Sequence, residues 1–192
     1  MVEAVVRVGV VVTFLRMYRP PDELASADLS REGLPDGVSV RHAVNCSVAL
    51  YRSLYNTVGA DYVWWLRRTL SDRQLAALLR DPQISIHMLE RGDEILGFYE
   101  LDRNPWPLVN LSYFGLMPEA VGQHMGRAFL RHAVDTCWRM GPRAITVNTC
   151  TADHPRALPN YLRAGFRRVR DVPEDWHVPV RLGLVIPEHL KL

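Results

Sequence analysis

Apolar and polar positions along this chain alternate, cluster and form stripes that mark out a series of strands and helices. Val5 to Leu15 is β-branched and apolar, the composition of a buried strand. Tyr18 to Gly37 mixes Pro and Gly with polar residues and reads as a long loop. Val38, Val40 and Ala43 suggest a short strand, and Asn45 a cap for a helix reaching about Thr57. Val48, Tyr51, Leu54 and Tyr55 share one face of that helix, and Gly59 stops it. Ser71 with Gln74 three positions on is a capping-box signature, predicting a helix from Asp72 to Arg80 that ends before Asp81-Pro82. Ile84 to Glu90 and Ile95 to Leu101 flank ERGDE, a hairpin signal, and Leu108 to Leu116 follows as another strand.

The strongest helical pattern runs from Gly122 to Met140. Met125, Phe129, Ala133 and Cys137 form one stripe, which Leu130, Val134 and Trp138 widen, while Arg127, Arg131, Asp135 and Arg139 lie opposite. Gly141-Pro142 ends it. Ala144 to Thr149 alternates as a strand, Pro155 to Ala164 reads as a short helix, and Val178 to Ile186 as a last strand. Strands and helices mix without strict βαβ alternation, which favours an α+β domain with a largely antiparallel sheet.

Composition changes this picture little. The 192 residues suffice for one domain with a sizeable core, and 48% hydrophobic with 23% charged residues is an ordinary globular balance. A net charge of +2 gives no argument for nucleic acid or an anionic membrane. The apolar run Val8 to Leu15 is too short to span a bilayer, and Glu3, Arg7 and Arg16 around it do not suit a signal peptide. Cys46, Cys137 and Cys150 form no CxxC pair and read as reduced, mostly buried thiols, so a cytoplasmic location is the default expectation. The histidines show no HExxH spacing and no GxSxG elbow is present, so neither a metal nor a serine nucleophile is expected.

The candidate chemistry sits in two stretches. In LMPEAVGQHMG, Gly122 and Gly126 bracket the first turn of the long helix directly after a strand. Backbone N–H groups at a helix N-terminus bind phosphate, and glycines let the backbone come close. The spacing matches neither a P-loop nor the dinucleotide fingerprint GxGxxG. In PRALPNYLRAGF, Tyr161 precedes a Gly165-Phe166 turn. A phenol, ordinarily near pKa 10, stays protonated at neutral pH and can donate to a thiolate.

Together and in this order, the two stretches resemble the acyl-CoA site of the GNAT superfamily of N-acetyltransferases. The resemblance implies a single domain over 1–192. Its fold would be a three-layer α/β/α arrangement of the α+β class, a mixed, largely antiparallel seven-stranded sheet with splayed central strands and flanking helices. Residues 1–82 would supply N-terminal strands and acceptor-side helices, 83–170 the acyl-CoA core, and 171–192 a C-terminal strand. Acetyl-CoA would be the acyl donor, with no metal. Backbone groups at Leu116 and Met117 would bind the pantetheine arm and polarise the thioester carbonyl, with Gly115 consistent with a bulge at the splay. Val121, Gly122, Gln123, His124, Met125, Gly126 and Arg127 would cradle the pyrophosphate, and His154 would stand where an asparagine usually does. Asp153 reads as part of an N-cap region. Tyr161 would be the general acid. Asn110 cannot serve as a base, which leaves Glu100 as the candidate, with neutral His154 or a water chain as substitutes. Tyr51, Trp64, Trp65 and Tyr113 would line the acceptor site, or else form core and a homodimer contact; Arg52, Arg67 and Arg68 either hold an acidic acceptor or are solvated. The implied reaction is direct transfer of acetyl, or another short acyl group, to a primary amine of a small molecule or peptide. Val121, His124, His154 and Asn110 depart from the family pattern, and they keep open a catalytically degenerate acyl-CoA-binding or protein-interaction module.

Overall fold

The computed structural model describes residues 3–21 and 33–192, so part of the loop expected between Tyr18 and Gly37 lies outside the described residues. One seven-stranded sheet runs through it: β1 (Val5–Met17), β2 (Val38–His42), β3 (Ile84–Arg91), β4 (Glu94–Asp102), β5 (Leu108–Leu116), β6 (Ala144–Cys150) and β7 (Arg167–Pro179). Four α-helices accompany it among the described residues: α1 (Val48–Val58), α2 (Asp72–Leu79), α3 (Gly126–Arg139) and α4 (Ala157–Arg163). The strand order is β2-β3-β4-β5-β6-β1-β7, antiparallel throughout except for the β5–β6 pair. The α+β class and the mixed, largely antiparallel sheet are as the sequence implied.

Side-chain alternation on the strands divides the core between two faces. Leu89 of β3, Tyr99 and Leu101 of β4, Val109 and Leu111 of β5, and Ile145 and Val147 of β6 pack with the apolar stripe of α3 and with Tyr161 and Phe166. On the other face Ile86, Met88 and Phe98 pack with Tyr51, Leu54, Tyr55 and Val58 of α1 and Leu75 of α2. A separate cluster joins Val8, Val10 and Val12 of β1 to Val63, Ile186 and Leu190.

Local rules explain most boundaries and several corrections. Ser71 and Gln74 form the reciprocal capping box at α2. Ser47, not Asn45, caps α1, because its side chain accepts the Leu50 N–H, while Asn45 takes a left-handed φ of 58° in the preceding turn. α3 begins at Gly126, four residues later than the pattern suggested, since Gly122 (φ 87°) and His124 (φ 61°) occupy left-handed conformations that no helix accepts. The last strand is β7, not Val178 to Ile186: Val180–Leu182 is a 3₁₀ turn and Gly183 is left-handed, and the apolar residues there pack on the β1 cluster instead. The irregularity in the β4–β5 ladder falls at Ser112 rather than Gly115, because Glu100 pairs with Tyr113 and Leu101 with Leu111. Gly115 serves close packing instead. A Cβ there would stand 2.3 Å from Val58 Cγ1, so α1 packs directly on its backbone. No helix of the described residues is long and apolar enough to cross a membrane.

Candidate active site

β5 and β6 pair only from Leu108 to Leu111 against Ala144 to Val147, although β5 continues to Leu116 and β6 to Cys150. Beyond that point the two parallel strands diverge. Into the gap opens a cleft of about 1250 Å³, above the ~300–1,000 Å³ of ordinary ligand pockets and roomy enough for two substrates. Met117 N–H donates to the Leu96 carbonyl at 2.9 Å. Alternation along the strand therefore turns the Leu116 backbone groups away from β4, to the side β6 has left. Of the two backbone positions expected on the donor, Leu116 lines the cleft, and Met117 is tied to β4 and packed under α1.

The turn after β5 opens onto the cleft with little side-chain bulk. Met125, at the N-cap of α3, supplies no side-chain cap, and no acidic residue stands in the first turn, so the positive end of the helix dipole meets the cleft without a competing anion there. A Cβ at Gly122 would meet nothing within 4 Å, and one at Gly126 only Leu116 Cδ1 at 3.6 Å, so both glycines leave open space on the cleft side. Val121, Gly122, His124, Gly126 and Arg127 line the cleft, joined by Arg156 and Arg163 from the α4 region. Gln123 instead donates to the Glu119 carbonyl at 2.7 Å, and Met125 is fully buried in the core. His124 holds a left-handed φ of 61° in this turn, a conformation histidine tolerates. An acyl-CoA pyrophosphate fits this chemistry, with Gly126, Arg127 and the His124 turn as the residues that would hold it.

At the other wall, Tyr161 rises from α4, largely buried, with its ring edge-on to Phe166 at 5.8 Å. It lines the cleft. Burial, and then the charge of Asp153, push its phenol above the ordinary value. Asp153 is not a helix cap, because α4 starts at Ala157; its carboxylate accepts from Thr149 Oγ1 at 2.7 Å, the Cys150 N–H at 2.9 Å and Trp64 Nε1 at 3.3 Å. His154 accepts the Arg156 N–H on Nδ1 at 3.0 Å, so the neutral ring carries its proton on Nε2 and enters the site as a donor. Burial first, and then Asp153, push the Cys150 thiol up to about 12, away from the thiolate form.

Glu100 lies elsewhere than the sequence suggested. It is fully buried beneath the cleft wall, accepting from the Tyr51 hydroxyl on one oxygen and from Arg67 Nη2 at 2.6 Å on the other. Tyr51 is equally buried and does not line the cleft. Trp64, Trp65 and Tyr113 do. The adjacent tryptophans separate as their side chains must: Trp64 packs toward the α1 cluster and Trp65 toward the β1 cluster. Glu174 and Trp176 of β7 complete this wall, with Trp176 Nε1 donating to Glu174 at 2.7 Å. The hydrophobic pattern did not mark them, since they lie on a charged edge strand; only the C-terminal strand implied over 171–192 covered their positions.

A family model described as the acetyltransferase (GNAT) family matches residues 51–166, a span that runs from α1 through both cleft walls to Phe166. The chain belongs to the GNAT family of acetyltransferases. A mycothiol acetyltransferase of Pseudarthrobacter chlorophenolicus is 28% identical over 196 aligned positions, covering 88% of this chain and 54% of that protein. Two solved structures share the GNAT fold. One, a GCN5-related N-acetyltransferase from Sphaerobacter thermophilus, has a TM-score of 0.58 at 16% identity and covers 92% of this chain and 53% of its own. The other, a Bacillus subtilis acetyltransferase in complex with CoA, has a TM-score of 0.53 at 15% identity, covering 68% of this chain and 76% of its own. The chain thus spans about half the length of the mycothiol and Sphaerobacter proteins.

Proposed function

We propose that this GNAT domain transfers an acetyl, or another short acyl group, from acyl-CoA to a primary amine by direct attack, the acceptor being a small molecule or peptide and the setting cytoplasmic. The observation that carries the reading is continuity. A single cleft joins the uncapped N-terminus of α3, the free edge of β5 at Leu116, and Tyr161. An anionic donor would lie with its phosphates at the Gly122–Gly126 turn and its arm along Leu116. Tyr161 would donate to the departing sulfur. Asp153 lines the same cleft as Tyr161, and it is the acceptor of the amine proton in this reading, directly or through water. Glu100 would act through Arg67 rather than on the amine. The name of the Pseudarthrobacter relative supports acetyl as the acyl group.

Calorimetric titration with acetyl-CoA tests the donor half. Gly126→Trp fills the open space beside Leu116 and is expected to abolish binding; no binding by the native chain overturns the reading. The burial of Glu100 favours a second reading, an acyl-CoA-binding protein without turnover. Acetyl-CoA binding with no thiol release for any amine would select it.

A further inference from the structure

Three arginines stand near the aromatic wall, and the structure treats one of them differently. Arg52 is engaged by Asp72 and the Leu70 carbonyl, and Arg68 by the carbonyls of Trp64 and Asn56. Arg67 alone of the three lines the cleft. Its Nε donates to the Tyr51 hydroxyl at 3.3 Å and its Nη2 to Glu100 at 2.6 Å, while its guanidinium lies over the Tyr113 ring at 5.3 Å from the centroid. Even its backbone N–H is held, by the Tyr55 hydroxyl at 3.3 Å. Nη1 finds no acceptor among the described residues.

A fully buried carboxylate is a costly anchor. Desolvating Glu100 costs more than a packed apolar residue would, so the ion pair is weak grounds for stability alone. What it does accomplish is to fix a planar guanidinium, held on Nε and Nη2, in a side chain that lines the cleft. The Asp153 carboxylate lines the same cleft and accepts from the Trp64 indole, whose ring lies 5.0 Å from that of Tyr113. A cation and an anion thus flank one pair of aromatic rings.

We propose that Arg67 is the receptor for a carboxylate on the acceptor, so that the amine acetylated here belongs to an amino acid or a similar amine-bearing acid. This rests on the acetyltransferase reading above. The amine end lies toward Asp153 and Tyr161, and the acid end toward Arg67, with the rings of Trp64 and Tyr113 between them. Glu100 and Tyr51 are positioning residues that hold the receptor in place.

The test is binding, so that it does not depend on guessing the natural acceptor. Protein saturated with CoA is titrated with 3-phenylpropionate and with its neutral isostere 3-phenylpropionamide. The carboxylate is expected to bind at least about tenfold more tightly, the scale of one charge-assisted hydrogen bond. Arg67→Gln alone would leave Glu100 buried and unpaired and endanger the fold. The variant Arg67→Gln/Glu100→Gln removes both charges together and leaves no buried charge unpaired; it should bring the two probes to within about twofold and leave acetyl-CoA affinity intact. Arg67→Lys keeps the charge and should keep part of the preference. Equal binding of the two probes by the native protein, including no binding of either, overturns the proposal, as does a preference that survives in the double variant. Failure to bind acetyl-CoA or CoA at all would count against the acetyltransferase reading instead.

Discussion

Tyr161 is where the chemistry of a single residue is most exposed to test. Its phenol is raised above the ordinary value by burial and by Asp153, so it holds its proton throughout the range in which an assay can be run. Deprotonation of Tyr161 therefore contributes no alkaline limb below its ordinary value of about 10. Tyr161→Phe keeps the ring against Phe166 and removes only the donor. We expect kcat to fall about 100-fold, the lower range for loss of a general acid, with the melting temperature nearly unchanged. Native and variant pH profiles should share the same alkaline limb. An undiminished kcat would remove the phenol from the mechanism. Tyr161 was legible because the motif around it is local: a short helix closed by Gly165-Phe166. Glu100 was not. Whether a carboxylate on a strand faces water or a buried Tyr51–Arg67 cradle depends on α1 and the turn after it packing across the sheet, and no pattern near Glu100 records that. Asp153 was misread for the opposite reason. Its cap-like sequence context is real, but the carboxylate bonds backward to Thr149 and Cys150 rather than forward into α4.

Among the elements, β3 carries a feature that ties stability to pH. His87 on this strand is buried, stacked between His42 at 4.8 Å and Tyr99 at 4.6 Å, and its Nε2 has no hydrogen-bond partner among the described residues. Burial, then the neighbouring His42, His132 and Arg139, lower its pKa to about 4. In the unfolded chain the ring protonates near 6.5. Between these values the unfolded state binds the proton and the native state does not, so stability is full above about pH 6.5 and drains away as pH falls toward 4. The whole effect is ~3 kcal/mol at most. His87→Phe retains the stacking and removes the titration. Denaturant unfolding at several pH values should therefore show a shallower loss for the variant across this window, and parallel curves would refute the assignment. At this scale the hairpin, β5, α2 and β6 were all readable, because period and punctuation agree over each. β7 was not. Its exposed face is charged from Arg167 to Asp175, and Pro173 sits within it, opposite Val11. An edge strand tolerates such a residue, since one side of its ladder is unpaired in any case, and charges on an edge discourage pairing with other chains. The features that make it a safe edge also hide it from a hydrophobic pattern.

At the scale of the whole molecule, the decisive arrangement joins β1 to β7. β1 lies between β6 and β7, so among the described residues β1 is the one strand of the sheet that pairs with β7. Its ladder with β7 runs from Val5 opposite Pro179 to Arg16 opposite Arg167. Composition identified β1 as buried, but pairing partners so distant in sequence leave no local trace. Such long-range pairing also predicts slow folding. The far wall of the cleft depends on it, since Val12 and Phe14 of β1 and Glu174 and Trp176 of β7 all line that wall. The sheet needs β1 in this slot; nothing in its contacts requires β1 to come first. Leu192 N–H donates to the Arg7 carbonyl at 3.1 Å, and Val180 N–H to the Ala4 carbonyl at 3.0 Å. Leu192 therefore reaches β1 about three residues from where β1 begins, a span of ~10 Å. A permuted chain can exploit this, with residues 3–21 placed after Leu192 through a linker of about five Gly and Ser residues and new ends between Pro21 and Gly33. Loop-closure cost changes only slowly with length. The permuted protein is thus expected to unfold cooperatively within ~2 kcal/mol of the native chain and to keep its acetyl-CoA affinity in calorimetry. If it unfolds without cooperativity, or binds donor no better than the Gly126→Trp variant, then β1 must be laid down before the strands it separates, and the order of the chain is part of what builds the cleft.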